Sequence, residues 1–152
     1  MNGARIAGGL LTAAVAATIA GCGASAQPQA APAAAPVSVK PSESLAPLLE
    51  KALPNVPGKS FTSAIVSFPP GASAMPHRHG DAFVYAYVLE GAVRSRLEGE
   101  PDHTYHQGEN WTEPPGAHHV ATENTSTTEP AKLLVVFVAT TGEKLKVDDP
   151  PR

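Results

Sequence analysis

The chain has 152 residues, with 11 Lys+Arg against 14 Asp+Glu for a formal net charge of −3. That is room for one ordinary core with accessories, and no basic cluster supplies the footprint that nucleic-acid binding needs. Cys22 is the one cysteine, which excludes an intrachain disulfide and a cysteine-built zinc site, so any metal falls to His, Asp or Glu. Residues are unevenly distributed: every aromatic lies between Phe61 and Phe137, every histidine between His77 and His119, and more than half of the alanines precede Pro36.

At the start, Arg5 is followed by a mostly apolar stretch from Ile6 to Ala20. It is shorter than the ~20 residues of a bilayer-spanning helix and suits the apolar region of a secretory signal. The stretch closes on Ile19-Ala20-Gly21-Cys22, which resembles the lipobox of bacterial lipoproteins. The resemblance implies a signal peptide over 1–21, lipid on Cys22, and a protein of the cell envelope facing the periplasm whose only membrane contact is that anchor. Ala24-Ser25-Ala26 offers ordinary signal cleavage instead, releasing a soluble periplasmic or secreted protein that begins at Gln27.

Pro28, Pro32, Pro36, Pro41 and Pro47 then stand among Ala, Ser and Gln. Prolines at this density block helix and central strand, so 22–54 reads as an Ala/Pro-rich tether. Within it, Leu45, Leu48 and Leu49 have the spacing of a short amphipathic turn over Ser44 to Lys51, stopped by Pro54.

From Lys59 onward apolar runs alternate with Pro and Gly punctuation, and none keeps a helical period for three turns. Strands are expected at Ser60 to Phe68, Phe83 to Leu89, Ala92 to Leu97, Thr104 to His106, Asn110 to Glu113, His119 to Asn124 and Lys132 to Ala139. So many short strands predict an all-β sandwich or barrel over 55–142. Leu133 to Val138 is continuously apolar, which predicts cover on both faces, and the charged, proline-ended tail over 143–152 is expected to be only partly ordered.

The chemistry concentrates in two stretches. In the first, Gly71 to His79, residues two apart on an extended segment share a face, so His77 and His79 present both imidazoles to one point. In the second, Gly108 to His119, a Pro114-Pro115-Gly116 turn fixes the start of the strand carrying His119. Three imidazoles from two distant stretches form a chelate for a divalent transition ion with positions left open. By alternation His118 faces away, as does Arg78; His103 and His106 fall in or beside a loop, and Trp111, Tyr85 and Tyr87 read as packing residues.

These stretches resemble the two motifs of the cupin superfamily. Gly71, His77, His79 and Gly91 fit the first motif, and Gly108, Pro114, Gly116 and His119 the second, with Asn124 arriving one residue late. The resemblance implies a single-domain jelly-roll barrel and a metal held by His77, His79 and His119. It also places Val84 where many metal-binding relatives carry a glutamate, with Val84, Ala86 and Val88 lining the pocket. Asp81 and Glu113 are the nearest carboxylates, expected to act behind the ligands and not as ligands. Three neutral imidazoles leave the charge of a divalent ion uncompensated and favour a small anionic ligand or substrate. A three-histidine site is similar to that of iron(II) dioxygenases, which favours Fe(II), with Mn, Ni, Cu or Zn also accommodated. The implied activities are a non-haem dioxygenase or an isomerase of a small anionic molecule; the alternative is a non-catalytic ligand-binding or sensing module. The outward aromatics of Phe83 to Leu89 suit a homodimer.

Overall fold

The computed structural model describes residues 41–151. The expected signal peptide, Cys22 and most of the tether lie outside the described residues. Ten strands follow in chain order: β1 (Ser44–Ala52), β2 (Lys59–Phe68), β3 (His77–Arg78), β4 (Phe83–Glu90), β5 (Ala92–Leu97), β6 (His103–His106), β7 (Asn110–Glu113), β8 (His118–Asn124), β9 (Ala131–Thr140) and β10 (Val147–Asp148). Among the described residues there is no helix. The strands form two five-stranded sheets, ordered β1-β2-β9-β4-β7 and β10-β3-β8-β5-β6, antiparallel throughout. This is the double-sheet architecture of a jelly roll.

Period-two alternation builds the interior. Val84, Ala86 and Val88 of β4 are buried while Phe83 is 42% exposed, and β9 buries Leu133, Val135 and Phe137. With Phe68 and Val93 they form one apolar core, each large side chain contributing about 1.5–3 kcal/mol by leaving water. Gly91 turns the chain from β4 to β5 with φ of 73°. A Cβ there would meet the carbonyl oxygen of Pro130 at 2.6 Å, so no other residue fits without moving backbone. Asn124 closes the far side: its side-chain amide donates to Glu129 O at 2.7 Å, and its Oδ1 accepts from Ser126 N at 2.9 Å.

Three expectations are corrected. Ser44 to Lys51 is not an amphipathic turn within a tether but part of β1, an edge strand paired with β2 and shifted in register between Pro47 and Leu49. An edge strand with a bulge is where a proline is tolerated, because its missing N–H has no ladder partner to lose. The outer face of β9 is only half covered, with Leu134, Val136 and Val138 partly exposed. The tail contributes β10, which pairs with β3 and so returns the chain to the second sheet.

Candidate metal centre

Strand register brings the first two imidazole-bearing segments together. His77 and His119 are direct partners across β3 and β8, and Arg78 faces His118 beside them. Directly opposed residues in an antiparallel pair share a face, so the first pair points inward and the second outward. The loops that deliver these histidines are tied together: Gly116 N donates to Gly80 O at 2.7 Å, and Arg78 Nη1 donates to Gly116 O at 3.0 Å. Ligand atoms of His77, His79 and His119 all lie within 4.8 Å of one another, and all three residues are buried.

The proton positions follow from what each ring touches. His77 Nδ1 donates to Met75 O at 2.7 Å and His79 Nδ1 donates to Leu145 O at 2.5 Å. Burial, the largest influence, pushes the His77 imidazolium down to about 4 and lowers that of His79 as well, so both rings are neutral at pH 7. A neutral imidazole with its proton on Nδ1 presents a lone pair at Nε2. The two Nε2 atoms face each other at 3.1 Å, an arrangement that repels unless a positive centre is shared. Two nitrogens bound at right angles to an ion at 2.0–2.1 Å would stand about 3 Å apart. The pair therefore fits a divalent ion, with the backbone carbonyls as the outer partners that fix each ring. His119 is held from its other side: its Nε2 lies 2.8 Å from both Ser95 Oγ and Thr122 Oγ1, leaving Nδ1 3.0 Å from Glu113 Oε1.

Glu113 is 3% exposed. Its Oε1 accepts from Trp111 Nε1 at 3.1 Å, and its Oε2 lies 3.6 Å from His79 Nε2. Burial would raise its pKa most, but His119, His79 and Trp111 together outweigh that and hold the carboxyl below its ordinary range. A cavity of about 70 Å³ opens beside these groups, with Val66, Phe68, Val84, Ala86, Leu133 and Phe137 as apolar walls. Leu45, Leu145 and Lys146 complete the lining, and Lys146 is paired with Glu43 at 2.8 Å and Asp148 at 2.6 Å. Burial opposes the charge on Lys146, and those two carboxylates more than restore it, raising its pKa.

Among the other residues singled out, Val84 and Ala86 line the cavity, whereas Val88 sits in the core and does not. Asp81 is corrected: its side chain is exposed, and its backbone N–H is bonded by Glu143 Oε1 at 2.8 Å. His118 binds Asp149 Oδ2 at 2.9 Å on the outer side, and His103 and His106 are exposed on β6. Trp111 packs on Tyr105 with ring centroids 4.7 Å apart and also lines the cavity. Ser95, Thr122, Leu145 and Lys146 also border the site and were not expected from the sequence. Ser95 and Thr122 are register partners across β5 and β8, and hydroxyls at inward positions of strands were the available signal. Nothing local marks Leu145, which acts through its carbonyl.

Residues 64–137 match the family described as "Cupin domain". No curated protein sequence matches the chain. Among solved structures, the TT1209 protein of Thermus thermophilus is similar at 27% identity and a TM-score of 0.52, covering 63% of this chain and 82% of that one. The DMSP lyase DddQ of Ruegeria pomeroyi is similar at 25% identity and a TM-score of 0.50 over 57% of this chain, which spans 42% of the lyase's length. A Klebsiella pneumoniae protein with a double-stranded β-helix domain shares 16% identity at a TM-score of 0.56, over 72% of this chain and 86% of that one, a likeness of fold alone. With strands of both sheets and all three clustered histidines inside the matched segment, residues 64–137 form a cupin domain.

Proposed function

We propose that His77, His79 and His119 hold one divalent ion, Fe(II) by preference, and that the protein oxygenates a small anionic molecule there. One observation carries the reading: two neutral, buried imidazoles aim their Nε2 lone pairs at a common point 3.1 Å apart while backbone carbonyls occupy both Nδ1 protons. Bound, such an ion acts as a Lewis acid and gives substrate and oxygen a common site. The residues of the chain hold the rings, exclude water with apolar walls, and limit the ligand to a few heavy atoms in a cavity of about 70 Å³. Oxygenation is favoured over isomerisation because, apart from one oxygen of Glu113 that faces the histidine cluster, the other titratable and hydroxyl groups lining the cavity, among the described residues, are already engaged. Glu113 is bonded by Trp111 at Oε1, Thr122 by His119, and Lys146 by Glu43 and Asp148. Isomerisation requires a free group to carry the proton. The similarity to a DMSP lyase supports an enzyme of small molecules.

The same engaged groups also suit capture without turnover. Oxygen uptake by the Fe(II)-loaded protein separates the two, measured with a panel of small carboxylates, thiolates and enolates. Uptake that disappears in His119→Ala supports the oxygenase. Ligand binding with no uptake across the panel moves the reading to a capture module.

For location, the proposal is export with lipid on Cys22. A mature mass consistent with acylated Cys22 supports it, and a chain beginning at Gln27 replaces it with soluble export.

A further inference from the structure

We infer that Glu113 is a fourth protein ligand of that ion, through Oε2, supplying from β7 the carboxylate that β4 lacks at Val84; the inference rests on the metal reading above. The register of the sheet is the first support. Val84 and Glu113 are direct partners across β4 and β7, so side chains from the two positions enter the barrel at the same level. Both are buried, at 1% and 3% exposure. A carboxylate moved from one position to the other changes strand without leaving the site.

The second support is the division of labour between the two carboxylate oxygens. Oε1 has a donor in Trp111 Nε1 and lies 3.0 Å from His119 Nδ1. Oε2 is buried with no hydrogen-bond partner among the described residues, and its near neighbour is the Nε2 of His79 at 3.6 Å. That Nε2 is a lone-pair atom, because Leu145 O takes the His79 proton at Nδ1. A buried anionic oxygen facing a lone pair is costly unless a cation lies within reach of both. The spacing suits two donors of one ion. A carboxylate that served only to orient His119 would use Oε1 alone and leave Oε2 unexplained.

Ligation by Glu113 changes the charge at the centre. Three neutral nitrogens and one carboxylate leave a divalent ion at +1 and not +2, so the open positions favour a monoanion over a dianion.

The test uses Co(II) as probe in the full-length protein, with affinity from chelator competition, the visible spectrum as a reading of the ligand set, and circular dichroism to establish folding. Glu113→Gln keeps size and shape, and we expect it to weaken Co(II) binding by about 100-fold or more and to alter the spectrum. In the exchanged pair Val84→Glu with Glu113→Val, recovery of affinity to within about tenfold of wild type supports the same assignment. A folded Glu113→Gln protein with the wild-type spectrum overturns it, even where affinity drops, since that pattern belongs to a residue acting through His119. The metal reading fails separately, and takes the inference with it, if the wild-type protein binds no Co(II).

Discussion

His77 shows how burial keeps an imidazole neutral. The group is held at about 4 against 6.5 for an ordinary histidine, chiefly by desolvation. At pH 7 neither the folded nor the unfolded chain holds a proton there to any large extent. As the pH falls through 6.5 the unfolded chain takes one up, and the folded chain does not until about 4, so the unfolded state binds more protons in that window and stability drops. His79 shifts in the same direction. Urea midpoints of the metal-free protein are expected to be flat above pH 7 and to decline from about 6.5 towards 4, with His77→Asn flattening the profile. At Trp111, replacement by phenylalanine keeps the ring packed on Tyr105 and removes the Nε1 donor to an ionised, buried carboxylate. The expected loss is about 1.5–3 kcal/mol, read from urea unfolding at pH 7.

Among the elements, the short tail after β9 reaches the histidine cluster and its neighbours through four contacts. Leu145 O fixes His79, β10 pairs with β3, Asp149 N donates to Pro76 O at 2.8 Å, and Lys146 joins Glu43. A chain ending at Gly142 keeps β1 to β9 and loses all four contacts, so it is expected to fold and to release metal about 10–100-fold faster, as followed by transfer to a chelator. Neither β10 nor its role was legible in the sequence, because a two-residue strand has no periodicity and a carbonyl partner has no residue type. The misreading of β1 has a different cause. Leu45, Leu48 and Leu49 stand at helical spacing, but the register shift between Pro47 and Leu49 takes up Leu48 as an extra residue and breaks the period-two phase. The strands β2 and β4 to β9 were legible because inward apolar residues and glycine or proline breakers keep a regular phase, whereas the two-residue β3 is too short to show one.

For the whole molecule, what the sequence could not express is which strands are neighbours. The three histidines were visible from their motifs, and the fold makes His77 and His119 cross-strand partners. Glu113 was visible only as a nearby carboxylate, because its relation to Val84 is a matter of β4–β7 register and not of distance along the chain. Asp81 is nearer to His79 in sequence, yet its side chain is exposed because the turn after β3 directs it outward. Two sheets, closed over an apolar core, bring three imidazoles together, and the proposal is that they hold one ion. Elemental analysis of mature protein purified without a histidine tag, after growth with Fe, Mn, Ni, Cu or Zn, tests it most directly beside His77→Ala and His119→Ala. One ion per chain is expected for at least one metal, with that ion lost in both variants while their circular dichroism stays wild-type. Substoichiometric metal under all five conditions, or equal metal in the folded variants, would contradict it.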